Sequence, residues 1–333
     1  MKERVKWIDI AKFFGIFAIY LGHFGELAGR SYPFVFTHHV PLFFFISGCV
    51  ENYNKEENII KYGWKKIKTI IIPFWVFAVL SAIVSTLDTN CEFQFVKAMI
   101  VEILRGVVRN TFVAASLWFL TCLFVMQMIF FVLRKLKYRP IIFLACVILY
   151  IIAMFVLEPH PLMEPSWYYN VDSAFYYIIY YGLGYVLYPY IEKLFELNSW
   201  KKKIIFAVTG AASLFYTAYM FFGMDLLSFI PFPELAQKFT PILVTTIMIY
   251  AYFVVSKLFE DANVLAQIGK NTLYLCGSEY LVKVLVEDLV FILGIEVALI
   301  TPLSVYIYVG ILLFVANKYL VPIEKYIINK IVR

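Results

Sequence analysis

Seven stretches of this chain run for about 18 residues or more without an Asp, Glu, Lys or Arg: 69–87, 111–133, 140–157, 173–191, 204–224, 239–256 and 297–317. A hydrocarbon core of about 30 Å takes about 20 helical residues to cross, so each stretch has the length of a membrane span. Backbone in lipid must satisfy its own hydrogen bonds, which leaves helices and closed barrels as spanning structures. Barrel strands alternate apolar and polar side chains over about ten residues. These runs are apolar throughout, so helices are predicted. Three further segments, 8–29, 31–50 and 271–293, have the length but hold polar groups. The expected fold is all-α: a polytopic membrane helix bundle of about ten transmembrane helices. It is read as one domain over 1–333, because no soluble segment is appended. A share of 62% apolar residues lies outside the soluble range.

Loop charge predicts the orientation. With both termini cytoplasmic, the basic residues of the inner loops gather at Lys2–Lys6, Lys55–Lys68, Arg134–Arg139, Lys193–Lys203, Lys257–Lys270 and Lys318–Arg333. Only Arg30, Lys97, Arg105, Arg109, Lys238 and Lys283 fall outside, with Lys12 inside the first span. Such asymmetry is the positive-inside pattern. It also accounts for most of the net charge of +6, which therefore gives no sign of a nucleic-acid partner. The N-terminal segment has no small-residue cleavage site, so an uncleaved first span is expected. Cys49, Cys91, Cys122, Cys146 and Cys276 form no CxxC pair and no zinc spacing, and read as small buried hydrophobes. Two outer loops are long. Residues 88–110 are expected to carry a short interfacial helix, and 158–172 are Pro-rich and hold no basic residue.

Ionisable groups inside membrane-length segments are costly and mark function or buried pairs. Asp9, Lys12 and His23 share the first segment. Lys12 and His23 are eleven residues apart, roughly three full turns, which puts them on one face about 16 Å apart. Asp9 and Lys12, at i, i+3, have the spacing of an ion pair. An imidazole can take up and return a proton near neutral pH, which makes His23 a candidate base deep in the segment. Glu26, one turn on, is placed to orient His23 or to sit in water at its lip. His38 and His39 open the second weak span, ahead of Pro41, and adjacent positions on a helix cannot both face one cavity. Lys61, Lys65, Lys66 and Lys68 precede Ile72-Pro73. They suit attraction to anionic lipid or a rim for a phosphate-bearing donor. Trp118, within Leu117–Leu120, is an aromatic wall candidate, and Glu279 lies eight residues after Asn271 in the ninth span.

Together these residues resemble the acyltransferase 3 family of integral membrane acyltransferases, and most of all its stand-alone members related to sugar O-acetylases. The shared features are a basic residue and a histidine with ten residues between them (Lys12, His23), an Asp three residues earlier (Asp9), and His39-Val40-Pro41-Leu42-Phe43 leading to Ser47-Gly48. The basic run into Ile72-Pro73, the Leu117–Leu120 motif, Tyr181–Tyr185 and Gly269–Leu273 are similar too. Two positions depart from the family pattern: Lys12 stands where Arg is commoner, and Glu279 where many relatives have His.

The resemblance implies acetyl-coenzyme A as co-substrate, a hydroxyl of a cell-surface or lipid-linked glycan as acceptor, no metal, and a multi-pass place in a bacterial cytoplasmic membrane. In that reading His23 is general base or acyl relay. Lys12, held by Asp9, faces a donor oxygen; Lys65, Lys66, Lys68 and Trp118 contribute to donor binding. His39, Glu26 and Glu279 are placed at the acceptor. A transporter or flippase for a glycan or small anion is the alternative on composition. It would be marked by inverted repeats or paired broken helices, and neither is detected in the sequence.

Overall fold

The computed structural model describes residues 4–51, 58–88, 93–107, 109, 111–231, 233–294, 297 and 299–332. Lys2, Lys55, Cys91 and Arg333 of the sequence reading lie outside these residues. Every regular element among the described residues is helical. In chain order they begin α1 (Lys6–Gly22), α2 (Ser31–Phe36), α3 (His39–Cys49), α4 (Ile59–Lys66), α5 (Ile72–Asp88) and α6 (Phe93–Arg105). Next come α7 (Trp118–Leu133), α8 (Arg139–Phe155), α9 (Val171–Phe195), α10 (Trp200–Phe221) and α11 (Glu234–Gln237). The last are α12 (Thr240–Leu258), α13 (Asn263–Lys270), α14 (Thr272–Gly277), α15 (Glu279–Ile292), α16 (Pro302–Val315) and α17 (Val321–Val332).

Five helical stretches are long and apolar enough to cross a bilayer: Ile59–Leu87, Ala115–Leu136, Trp200–Phe221, Thr240–Leu258 and Pro302–Val332. Two of them contain a π-turn, at Ile67–Ile71 and at Ala316–Leu320. Each turn lies just ahead of a proline, Pro73 or Pro322. Proline cannot donate to the carbonyl four residues back and its ring crowds that turn. One wider turn absorbs the mismatch without breaking the helix.

The three weak segments take a different form from the one expected. The first helix stops at Gly22, and Gly25 and Gly29 at φ +57° and +58° carry the chain out of helical geometry. The second segment is split into α2 and α3 at Thr37-His38, where the Thr37 hydroxyl bonds back to the Phe34 carbonyl (2.7 Å). The third is split into α14 and α15 at Ser278 (φ −98°, ψ 10°), whose hydroxyl bonds to the Tyr274 carbonyl (2.9 Å). Between 88 and 110 lies the short helix α6, where one was expected.

The chain divides into two compact units. One comprises residues up to Val50, Leu183–Thr272 and 298–313. In it α1 packs against α2, α3, α12 and α13. Trp7 is its aromatic centre, with ring centroids 5.0 Å from Phe195 and 5.1 Å from Phe253. A Cβ on Gly269 would run into the Asp9 carbonyl, so only glycine lets α13 lie this close on α1.

The other unit comprises Glu51–Gly182, Leu273–Val297 and residues from Phe314 onward. Its long loops are pinned by polar side chains. The Asn170 amide donates to the Val107 carbonyl (2.6 Å), and Asp172 accepts from the backbone N–H groups of Ser166 (2.7 Å) and Trp167 (3.1 Å). Cys49, Cys122, Cys146 and Cys276 are free and buried, as small hydrophobes are.

Candidate functional site

The N-terminal turns of α1 hold a charge cluster. Asp9 is 1% exposed and accepts both arms of the Arg4 guanidinium, Nε at 2.7 Å and Nη2 at 2.9 Å. Lys12 Nζ approaches the same carboxylate at 3.7 Å. One buried anion thus holds two cations, and the cluster carries a net positive charge. The Asp9–Lys12 contact follows the expected i, i+3 spacing. Arg4 was legible only as a loop charge. Its reach to Asp9 depends on Val5 being extended (φ −82°, ψ 110°) ahead of the helix, so no helical periodicity announces it.

His23 caps the opposite end of α1. Its backbone N–H closes the last turn onto Ile19 and Tyr20, and its side chain is exposed. The helix is continuous from Lys12 to this cap, so the two groups are about 16 Å apart along its axis. His23 is therefore a helix-end residue, not one deep inside a longer span. Glu26 follows in a single 3-10 turn, Gly25–Ala28, and is exposed as well.

The neighbouring imidazoles at 38 and 39 part company. His38 is 0% exposed, with Nε2 2.7 Å from the Tyr252 hydroxyl and Nδ1 3.1 Å from the Thr37 hydroxyl. It ties the break between α2 and α3 to α12. His39 is also buried, with Nδ1 2.6 Å from the Val35 carbonyl. A carbonyl only accepts, so Nδ1 carries the proton and the lone pair of neutral His39 is on Nε2. Val35, whose carbonyl takes this bond, packs against Gly22, the residue before His23. Asp9, Lys12, His23, Glu26 and His39 all belong to the first unit.

Lys65, Lys66, Lys68, Trp118 and Glu279 belong to the second. Lys66 lies over the Tyr62 ring (5.0 Å), which stacks on Phe131 (4.5 Å) near the C-terminal end of α7. Lys68 lies over Trp64 (5.8 Å), and Lys65 is exposed. Trp118 opens α7, thirteen residues and about 20 Å before Phe131. It is covered by the Arg109 guanidinium at 4.8 Å, and Arg109 in turn donates to the carbonyls of Pro161 (2.9 Å) and Leu162 (2.6 Å). The lysine cluster and Trp118 therefore sit at opposite ends of one helix. Glu279 is 4% exposed and pairs with Lys283 at 2.6 Å, one turn on.

A further ion pair was hidden in the loop charges. Arg134, counted among the orienting basic residues, is 3% exposed and binds Glu51 at 2.7 Å. The Tyr181 hydroxyl donates to the other oxygen of that carboxylate. The partner at position 51 lies far away in sequence, so spacing cannot reveal it. Among the described residues, no group of three or more His, Cys, Asp or Glu converges as metal ligands.

Apolar helices of membrane-spanning length define an integral membrane protein. Its sequence matches the acyltransferase 3 profile, described as an acyltransferase domain, over residues 5–316, and the chain belongs to that family. An acyl donor and an acyl acceptor follow from that membership. No curated protein and no solved structure matches the chain.

Proposed function

We propose that this protein transfers an acetyl or other short acyl group from a coenzyme A thioester to a hydroxyl of a cell-surface or lipid-linked glycan. The observation that carries the reading is the arrangement on α1. A cationic cluster built on buried Asp9 occupies one end of the helix, and the exposed His23 imidazole occupies the other. In acyl transfer the acceptor hydroxyl loses its proton as its oxygen attacks the thioester carbonyl, and the thiolate leaves. His23 takes that proton, or accepts the acyl group on nitrogen and passes it on. Lys12 and Arg4 offer positive charge to donor phosphate or thioester oxygen, with Asp9 fixing their positions. His39 Nε2 faces acceptor or proton traffic beside His23, and Glu26 lines the same end. The chain acts as one functional domain in a bacterial cytoplasmic membrane, crossing it about ten times with both termini inside.

The test uses purified protein in nanodiscs with radiolabelled acetyl-coenzyme A and a crude glycan fraction. Wild type is expected to consume thioester and label glycan. His23→Ala, eluting as a single folded species, is expected to lose about 10²–10⁴-fold in rate, the range general-base removal gives. Full glycan acetylation by folded His23→Ala overturns the assignment of the base.

A further inference from the structure

The first unit contains a cavity of about 620 Å³ lined by Phe45 of α3, the Leu187–Leu194 face of α9, the Thr209–Tyr216 face of α10 and the Thr246–Phe253 face of α12. The lining positions recur at helical spacing on each element, so the cavity is a groove running along the helices. α9 and α10 are joined by the short loop 196–199. On each of α9, α10 and α12 the lining spans a rise of seven residues, about 10 Å at 1.5 Å per residue. That is about two thirds of one leaflet of a hydrocarbon core, about 15 Å.

Five of the six polar side chains on its wall, all but Tyr190, spend their hydroxyl protons within the protein. Thr209 donates to the Ile205 carbonyl (2.7 Å) and receives the Tyr250 hydroxyl (2.8 Å). Ser213 donates to the Gly210 carbonyl (2.9 Å), Tyr216 to Asp225 (2.7 Å) and Thr246 to the Ile242 carbonyl (2.7 Å). Each of these hydroxyl protons is already committed, so a sugar entering the groove would lose hydrogen bonds to water and find few donors in return. A hydrocarbon chain meets no such cost. Ala212 and Tyr190 on the lining are exposed, which leaves the groove open at its side.

Charge identifies the other half of the ligand. Lys193, Lys201 and Lys203 are exposed at the α9–α10 end of the groove. Of the carboxylates near this end, Glu192 accepts from the Tyr188 hydroxyl (2.8 Å), Glu196 pairs with Lys202 (2.7 Å) and Glu260, past α12, with Lys257, while Asp261 is exposed. A chain-shaped apolar groove ending at a cationic rim is complementary to an anionic membrane lipid. We propose that this groove binds an anionic phospholipid, its acyl chain along α9, α10 and α12 and its phosphate at Lys201 and Lys203. This site is independent of the acyl-transfer chemistry assigned to α1.

The experiment reconstitutes the full chain in nanodiscs of equimolar phosphatidylcholine and phosphatidylglycerol. It then counts lipids retained on the protein by native mass spectrometry in mild detergent. Wild type is expected to retain phosphatidylglycerol, with a preference of about fivefold for each rim lysine engaged. Ala212→Trp, which fills the groove, is expected to retain neither lipid. Lys201→Glu with Lys203→Glu, at exposed positions, is expected to retain lipid without the preference. Undiminished phosphatidylglycerol on Ala212→Trp at wild-type helicity overturns the proposal. So does an unchanged preference in the double variant, or a lipid-free dimer, which would make the groove a contact between two copies.

Discussion

Asp9 is the residue on which the α1 cluster depends. As asparagine it would keep its shape and lose its charge, leaving Arg4 and Lys12 facing each other without an anion. Removing one partner of a buried pair is costly, but Arg4 is about half exposed, so solvent screens part of the loss. Asp9→Asn is expected to lower stability by about 1–3 kcal/mol, and Arg4→Ala by less; thermal unfolding in nanodiscs measures both. His39 permits a finer separation. Its Nδ1 bond to the Val35 carbonyl is structural, and an asparagine amide can reproduce that donor, whereas alanine cannot. His39→Asn is expected to unfold within about 0.5 kcal/mol of wild type, His39→Ala about 1 kcal/mol lower or more, and both to lose transfer. Wild-type turnover in His39→Asn would remove Nε2 from the chemistry. At this scale the sequence showed pairs that obey helical spacing, Asp9 with Lys12 above all. It concealed pairs made outside a helix or across the fold, such as Arg4 with Asp9 and Arg134 with Glu51. Charge alone does not distinguish a solvated arginine from a buried one.

At the level of elements, glycine decides how close two helices come. A Cβ at position 269 meets the Asp9 carbonyl, and at position 184 the Phe45 carbonyl; both obstacles are backbone and cannot swing aside. At position 310 it meets nothing within 4 Å. Gly269→Ala and Gly184→Ala are each expected to destabilise by about 1–3 kcal/mol, and Gly310→Ala to be neutral or slightly stabilising. Gly269→Ala should also disturb the charge cluster, because it displaces the α1 turn that carries Asp9. A thermal shift at position 269 equal to that at 310 would contradict the close α1–α13 approach. The long charge-free runs were legible as helices because no local feature competes with their backbone hydrogen bonds. The interruptions at Thr37-His38 and Ser278 were not. There a hydroxyl bonds back to a carbonyl one turn earlier, and the same residues are tolerated inside many uninterrupted helices.

Across the whole molecule, the parity of the number of crossings has a simple consequence. Five helical stretches have the length and apolarity to cross alone. Five crossings would put the termini on opposite sides, whereas ten put them on the same side. The remaining crossings would have to come from α1, α8, α9 and the broken pairs α2–α3 and α14–α15. α1 and α8 are each 17 residues, about 25 Å of helix, short of the core but within reach of local thinning. α9 has the length at 25 residues, and tyrosines dilute its apolar character. The distribution of basic residues favours the even count, because the N-terminal, 193–203 and C-terminal groups would then share a compartment. We therefore expect reporters fused to either terminus to read cytoplasmic. In a Cys91→Ser background, where the other cysteines are buried, an impermeant maleimide on intact cells should label Met163→Cys. That residue is 75% exposed in a loop without basic residues. The same reagent should spare Asn198→Cys, beside Lys201–Lys203, until the membrane is opened. Termini reading from opposite sides would require an odd number of crossings and exclude the ten-span arrangement.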